Sequence, residues 1–300
     1  MSASISVTPQ TRIAIIGAEG QLGRQFASHT PGILFPLNRT KADLLNPSAL
    51  SQALKEIQPE LIINCAAYNL VDKAESEPEP CLQVNTLGVF HLGRIAKEIG
   101  ATLVHFTTDH LFGATPRLDA FGKPIPWVET DLPSPIGVYS ASKAAGENLL
   151  LGSGASVYII RTCGLYGVPG QGGKGTNFVE AILRAVANKR PLRVVCDQYC
   201  TPTSAATLQP AVLQVLKHFP PGIYHLTDQG SMTWCELARA ICEMQGLHVE
   251  VTPIGTHEWP AAAKRPYFSV LGSIHHNHPD YPKLAPWRES LRTYLANRPA

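Results

Sequence analysis

Tyr139 and Lys143 stand four residues apart in the stretch Tyr139-Ser-Ala-Ser-Lys143. Positions i and i+4 share one helical face, so on a helix the phenol and the ammonium point into one site. A free tyrosine has a pKa of about 10 and is a poor acid–base group at neutral pH. A neighbouring cation favours the phenolate and draws that pKa down. Such a pair suits proton transfer to or from an oxygen, although the spacing alone is common by chance. Thr107-Thr108-Asp109 strengthens the case. Hydroxyls at the carboxyl end of a parallel strand face the crevice where ligands bind.

A second constellation is Gly17-Ala-Glu-Gly20-Gln21-Leu22-Gly23, directly after the apolar run Arg12-Ile-Ala-Ile-Ile16. Glycines here let the chain turn tightly and approach a pyrophosphate. The helix that follows offers free N–H groups and the positive end of its dipole. The spacing is GxxGxxG rather than GxGxxG. In a strand–turn–helix context it predicts dinucleotide binding. The end of the second strand, Leu37-Asn38-Arg39, then bears on the choice of cofactor. A carboxylate there would bind the adenosine ribose and repel a 2′-phosphate. None is present, and Arg39 is suited to hold a 2′-phosphate. The plainer reading of Arg39 is a surface arginine. NADPH is the expected cofactor, with NADH as the alternative.

These residues need a scaffold, and the first half of the chain supplies one. Apolar strands are predicted at 12–16, 33–37, 61–66, 102–107 and 156–161. Helices are predicted between them at 21–28, 47–58, 79–99 and 138–151, with Asn46 as an N-cap and Gly100 as a stop signal. This alternation means crossover units and a parallel sheet covered on both faces. The pattern loosens after residue 162, with helices predicted at 177–188, 204–218 and 233–245. A smaller second lobe and a cleft between the lobes follow from that.

Composition excludes several alternatives. Apolar residues are 44% of the 300 and charged residues 16%, which argues against disorder. Lys plus Arg is 25 and Asp plus Glu is 23, so neither nucleic acid nor an acidic membrane is the expected main partner. No apolar run reaches membrane-spanning length, and the first ten residues lack a basic n-region, so a cytoplasmic location is expected. Seven cysteines without a CxxC pair read as buried thiols in a reducing compartment. Cys196 and Cys200 lack a following His at ligand spacing. The His-rich stretch 273–279 reads as a solvated loop.

Together these features resemble the extended short-chain dehydrogenase/reductase family, and within it the dTDP-4-dehydrorhamnose reductase branch. The resemblance covers nearly the whole chain. It is carried by Asn64-Cys-Ala-Ala-Tyr68, Val71-Asp-Lys-Ala-Glu-Ser-Glu77, Val84-Asn85, Thr107-Thr-Asp109, Ser134-Pro135 and Tyr139 through Lys143-Ala-Ala-Gly-Glu147. Ile160-Arg-Thr162, Asn177-Phe178, Asp197-Gln198, Thr201-Pro-Thr203, Gly222-Ile-Tyr-His-Leu226, Thr233-Trp234 and Arg265-Pro266 continue it.

The resemblance implies a Rossmann-type doubly wound parallel sheet with a smaller C-terminal α/β substrate lobe. Residues 1–162 would form the dinucleotide domain, with a return near 197–232, and 163–300 mainly the substrate lobe. Gly20, Gln21 and Leu22 would contact the pyrophosphate, and Asp43 and Leu44 would flank the adenine. Ala66, Ala67 and Tyr68 would line the nicotinamide-side ribose. Tyr139 would protonate the substrate oxygen, Lys143 would bind the ribose and tune the phenol, and Thr108 would hydrogen-bond the carbonyl. The plainer reading of Asp72, Lys73 and Glu75 is a solvated loop, and Asp197 and Gln198 would order a loop or touch ligand. The partner implied is a nucleotide sugar, bound by a monomer or homodimer.

Two positions depart from the branch. His110, beside Asp109 on the substrate side, stands where a Tyr is usual, and Gly164 where a Trp is usual. An altered sugar pocket is expected, with room beside Gly164 unless Leu165 or Tyr166 fills it. Gln25 stands where some members carry a metal-linked glutamate, so no metal is expected. The rival readings are a reductase of a different keto substrate and a non-catalytic subunit resembling the regulatory beta subunit of methionine adenosyltransferase.

Overall fold

The computed structural model describes residues 4–168 and 176–298. In its first half, β1 (Arg12–Ile16), α1 (Gln21–His29), β2 (Ile33–Leu37), α2 (Pro47–Ile57) and β3 (Leu61–Asn64) follow one another. Next come α3 (Val71–Ser76), α4 (Pro78–Leu82), a π-helical stretch Gln83–Gly88 and α5 (Val89–Ile99). β4 (Thr102–Thr108), α6 (Val138–Leu151) and β5 (Ser156–Thr162) complete this half. The second half holds β6 (Leu165–Tyr166), α7 (Phe178–Ala187), β7 (Leu192–Val195), β8 (Tyr199–Cys200), β9 (Thr203–Ser204) and α8 (Ala205–His218). β10 (Gly222–His225), β11 (Met232–Thr233), α9 (Trp234–Met244), β12 (Val251–Ile254) and α10 (Trp287–Asn297) end it.

Six strands form one parallel sheet in the order β10-β5-β4-β3-β1-β2. β1 is buried on both faces, which is why its sequence is an unbroken apolar run. Ile13, Ile15 and Phe26 pack with Leu208 and Val212 on the face covered by α1 and α8. Ala14 and Ile16 pack with Leu50, Leu54, Leu92 and Leu150 on the face covered by α2, α5 and α6. Strand order reverses between β1 and β3, so the turns leaving those two strands open a crevice at the carboxyl edge. A second core, with Val179, Ile182, Leu237, Ile241 and Leu291, joins α7, α9 and α10.

Local chemistry explains the boundaries. Asn46 Oδ1 accepts the Ala49 N–H at 3.1 Å, and Pro47 opens α2. β3 ends at Asn64, two residues short of the expected strand, because Asn64 Oδ1 takes the Ala66 N–H at 3.1 Å and turns the chain outward. The long helix expected over 79–99 is interrupted by the π-helical stretch. Such a bulge re-aims side chains and is frequent at functional sites. Here it aims Asn85, which accepts the Tyr68 N–H at 2.9 Å and donates to the Tyr68 carbonyl at 3.0 Å.

A buried ion pair bolts α6 to the sheet. Glu147 and Arg161 are almost wholly buried, and Arg161 Nη2 and Nε donate to the carboxylate at 2.7 and 3.1 Å. The Thr107 hydroxyl also donates to Glu147. Arg161 Nη1 lies 3.3 Å from His225 Nε2 on the neighbouring β10, and its guanidinium covers the Phe112 ring at 5.5 Å. Removing one partner strands a buried charge. Arg161→Met is therefore expected to cost about 3–5 kcal/mol. Adding Glu147→Leu to it should recover part of the loss. Urea unfolding of the single and double variants checks both, and a double variant no more stable than Arg161→Met contradicts the expectation.

Candidate active site

α6 starts from Gly137, whose backbone is extended and whose N–H and carbonyl both bond the Ser140 hydroxyl. Tyr139, Lys143 and Glu147 then recur at four-residue spacing on one buried face. Lys143 Nζ donates to the Phe106 carbonyl of β4 at 2.7 Å. Burial pushes the Tyr139 phenol up, the Asp109 carboxylate adds to the rise, and a hydrogen bond with Thr108 opposes it. Burial also lowers the Lys143 ammonium from 10.5 to about 8, against the pull of Glu147. This reverses the sign expected for Tyr139. Desolvation of the phenolate sets the sign, while the Lys143 ammonium is turned toward a backbone carbonyl. The phenol is thereby kept protonated at neutral pH, the form that donates.

Thr108 ends β4 and caps the single 3₁₀ turn Asp109–Leu111 by accepting the His110 N–H at 3.1 Å. Asp109 is buried, with Ser269 Oγ at 2.5 Å and Cys163 Sγ at 3.0 Å on one oxygen and Thr108 Oγ1 at 3.0 Å on the other. It ties the ends of β4 and β5 to the segment around Ser269. The His110 ring meets Tyr139 edge-on, with centroids 5.9 Å apart and planes at 87°.

Gly164 has φ +51, and a Cβ there would come within 3.2 Å of Pro202 Cα and 3.4 Å of the Trp234 ring. The expected room beside it is therefore bordered by Trp234, which reaches in from α9 and packs on Phe178 at 4.8 Å. Tyr166 does not take that place, since it is buried against Tyr294. Leu165 packs toward the sheet core.

The glycine-rich turn lies across the crevice. Gly17 adopts φ +75, and a Cβ on it would fall 2.8 Å from the Ala66 nitrogen. A Cβ at Gly23 would fall 2.2 Å from the Gly17 carbonyl oxygen. Those two glycines are required by packing, whereas a Cβ at Gly20 would meet only the Gly17 oxygen at 3.4 Å. Gly20 thus leaves the mouth of α1 bare, a cradle that suits a pyrophosphate. Leu22 is buried, and Ala66, Ala67 and Tyr68 are half-buried opposite the turn. Gln21 Nε2 donates to the Leu165 carbonyl at 3.0 Å, and its Oε1 accepts from Asn177 at 3.4 Å.

At the tip of β2, Arg39 is exposed and pairs with Asp43 at 3.3 Å. Asn38 donates to Glu19 at 3.2 Å, bringing a carboxylate from the glycine-rich turn to a place where the strand itself has none. Leu44 is buried in the core. Residues 71–76 form helix α3 and are not a solvated loop, because Asp72 and Glu75 have partners elsewhere in the chain. Asp197 takes the Thr256 N–H and hydroxyl at 2.9 and 2.6 Å, and Gln198 bonds that hydroxyl at 3.0 Å, so both order a loop. Among the described residues no three His, Cys, Asp or Glu converge to hold a metal, and no helix is long and apolar enough to cross a membrane. His275 and His278 pack on Phe219, so the His-rich stretch is partly anchored.

The six-stranded parallel sheet, the glycine-rich crevice and the Thr108–Tyr139–Lys143 group define an extended short-chain dehydrogenase/reductase. Residues 11–299 match the model of the RmlD substrate binding domain, and the chain belongs to that family. The spore coat polysaccharide biosynthesis protein SpsK of Bacillus subtilis is 33% identical over 96% of this chain and 98% of its own. A dTDP-4-dehydrorhamnose reductase of Mycolicibacterium smegmatis is 33% identical over 95% of this chain and 85% of its own. The crystal structure of the Bacillus anthracis dTDP-4-dehydrorhamnose reductase in complex with NADP superposes with a TM-score of 0.87 at 32% identity, covering 96% of this chain and 99% of that one.

The lowered Lys143 has a consequence for stability. Between pH 8 and 10.5 the unfolded chain holds this proton more tightly than the folded one, so stability contributed here rises with pH across that window. Lys143→Met should remove that upward contribution. Unfolding free energies measured across the window, native against variant, check it, and identical slopes would refute the placement of a buried ammonium.

Proposed function

We propose that this protein reduces the 4-keto group of dTDP-4-dehydro-L-rhamnose to give dTDP-L-rhamnose, with NADPH as the reductant. The observation that carries this reading is a buried Tyr139 set against Thr108, with the Lys143 ammonium on the same helical face. The activity named for the relatives and the NADP bound in the Bacillus anthracis structure support it. When bound, the cofactor supplies a hydride to the carbonyl carbon. Gly20, Gln21 and Leu22 would hold its pyrophosphate at the mouth of α1. Ala66, Ala67 and Tyr68 would line the nicotinamide-side ribose.

Thr108 would orient the carbonyl by turning its hydroxyl hydrogen from Asp109 Oδ1 to the substrate oxygen. Tyr139 gives its proton to the sugar oxygen as negative charge builds there. Lys143 would hold the ribose and offset the phenolate left behind. Burial serves this direction of reaction, because it keeps the acid charged with its proton until the substrate oxygen demands it. Asp109 stays engaged by Ser269 and Cys163 and so holds the frame of the pocket.

One observation favours a second substrate. The His110 imidazole sits edge-on to Tyr139, and a polar ring there suits a more polar keto sugar than 4-keto-rhamnose. NADPH oxidation with a panel of 4-keto nucleotide sugars separates the two. Absence of turnover on every sugar would favour a non-catalytic role.

Two outcomes test the roles. Tyr139→Phe should lose about 10²–10⁴-fold in kcat, the usual value of general-acid assistance, with NADPH binding kept. Normal turnover by that variant would refute the assignment. NADPH should bind more tightly than NADH, and Arg39→Ala should narrow the difference. Equal dissociation constants for the unmutated chain would refute the role of Arg39.

A further inference from the structure

The two carboxylates of α3 reach to different parts of the molecule. Asp72 accepts the Ala263 N–H at 3.1 Å and pairs with Arg265 Nη2 at 2.9 Å. Arg265 in turn donates to the Ala263 carbonyl at 2.9 Å, which locks residues 263–265 as a strap. One turn further along α3, Glu75 Oε1 accepts the N–H of Val138 at 2.8 Å. Val138 is the first residue of α6, and Tyr139 is the next. A Cβ at Gly137 would fall 2.7 Å from that same Glu75 oxygen and 4.0 Å from the Lys264 carbonyl. Only a glycine lets the carboxylate into the helix mouth so closely, and the strap and the helix start meet there.

The first N–H groups of a helix lack intrahelical partners and carry its positive end. Gly137 has no side chain to satisfy them. Glu75 supplies from another helix an acceptor for the first of them, the Val138 N–H. The bond it makes is one residue from the acid.

We propose that Glu75 is a positioning residue that sets the Tyr139 phenol against Thr108, and that Asp72 makes this setting depend on the 263–265 strap. This rests on the reductase reading and adds to it a device linking the C-terminal strap to the proton donor.

Steady-state kinetics with dTDP-4-dehydro-L-rhamnose and NADPH test it. Glu75→Ala should lower kcat about 10- to 100-fold, the scale set by a reacting group displaced by ~1 Å, with KM for NADPH unchanged. Glu75→Gln keeps an oxygen facing the Val138 N–H and should recover most of that loss. Asp72→Ala should lower kcat less, and the double variant should lose less than the product of the two single losses. If Glu75→Ala does not fold, Glu75→Asp, one methylene short of the amide, is measured instead with the same expected direction. An unchanged kcat in folded protein, or no rescue by Gln, overturns the proposal.

A second measurement keeps this test separate from the reductase reading. In protein isotope-labelled at the tyrosine phenol carbon, the Tyr139 resonance is assigned by its loss in Tyr139→Phe. It should move in Glu75→Ala and return in Glu75→Gln. If it does so while the unmutated chain reduces no sugar, the reductase reading fails and the positioning stands. A resonance that does not move overturns the positioning whatever the activity.

Discussion

The buried pairing of Glu147 with Arg161 is the constraint on which the site is built. Two charges withdrawn from water are tolerated only when their remaining hydrogen-bonding capacity is also met. Thr107 completes the carboxylate, and His225 meets the guanidinium edge. His225 Nδ1 is satisfied by the carbonyls of Trp127 and Gly272 at 3.1 and 2.9 Å, which leaves Nε2 as an acceptor for arginine. Burial, with Arg161 adding to it, keeps that imidazole neutral against the pull of Glu129. β4, β5, β10 and the segments at Trp127 and Gly272 are thus committed to one geometry by one desolvated pair. Because Glu147 lies two turns beyond Tyr139 on the same face, that geometry also fixes where the phenol points.

Burial has two further effects along the same helix. It raises the phenol and lowers the ammonium, so each group is drawn toward its uncharged form. A tyrosine with its proton is the competent acid for reduction, and a lysine near neutrality can respond to charge appearing beside it. The enclosure that makes both groups costly to ionise also strengthens each interaction that forms there.

What the sequence disclosed and what it hid divide by range. β1, the glycine turn and the start of α6 were legible because an apolar run, a glycine spacing and a four-residue interval are local patterns. Asn85 gripping the backbone of Tyr68 was hidden, since no helical periodicity signals a π-helical stretch. Glu75 at the mouth of α6 was hidden because its acceptor role spans 63 positions. The surroundings of Gly164 were hidden for a related reason. The chain lacks a large side chain at that position, yet Trp234 brings one beside it from the start of α9. The sign of the Tyr139 shift depended on depth of burial, which only the packed sheet and helices determine.

The edge strand β10 has a consequence for how the molecule is made. It pairs with β5 across a separation of 64 residues, and His225, the partner of Arg161, arrives with it. While a ribosome is still emitting the intervening residues, β5 presents an open edge and Arg161 lacks its histidine. Open edges of this kind invite pairing with other chains. Five of the sheet's six strands are written within the first 162 residues, yet the sheet lacks its sixth until residues 222–225 have been synthesised. The buried Glu147–Arg161 pair therefore waits for its histidine until residue 225 has been made.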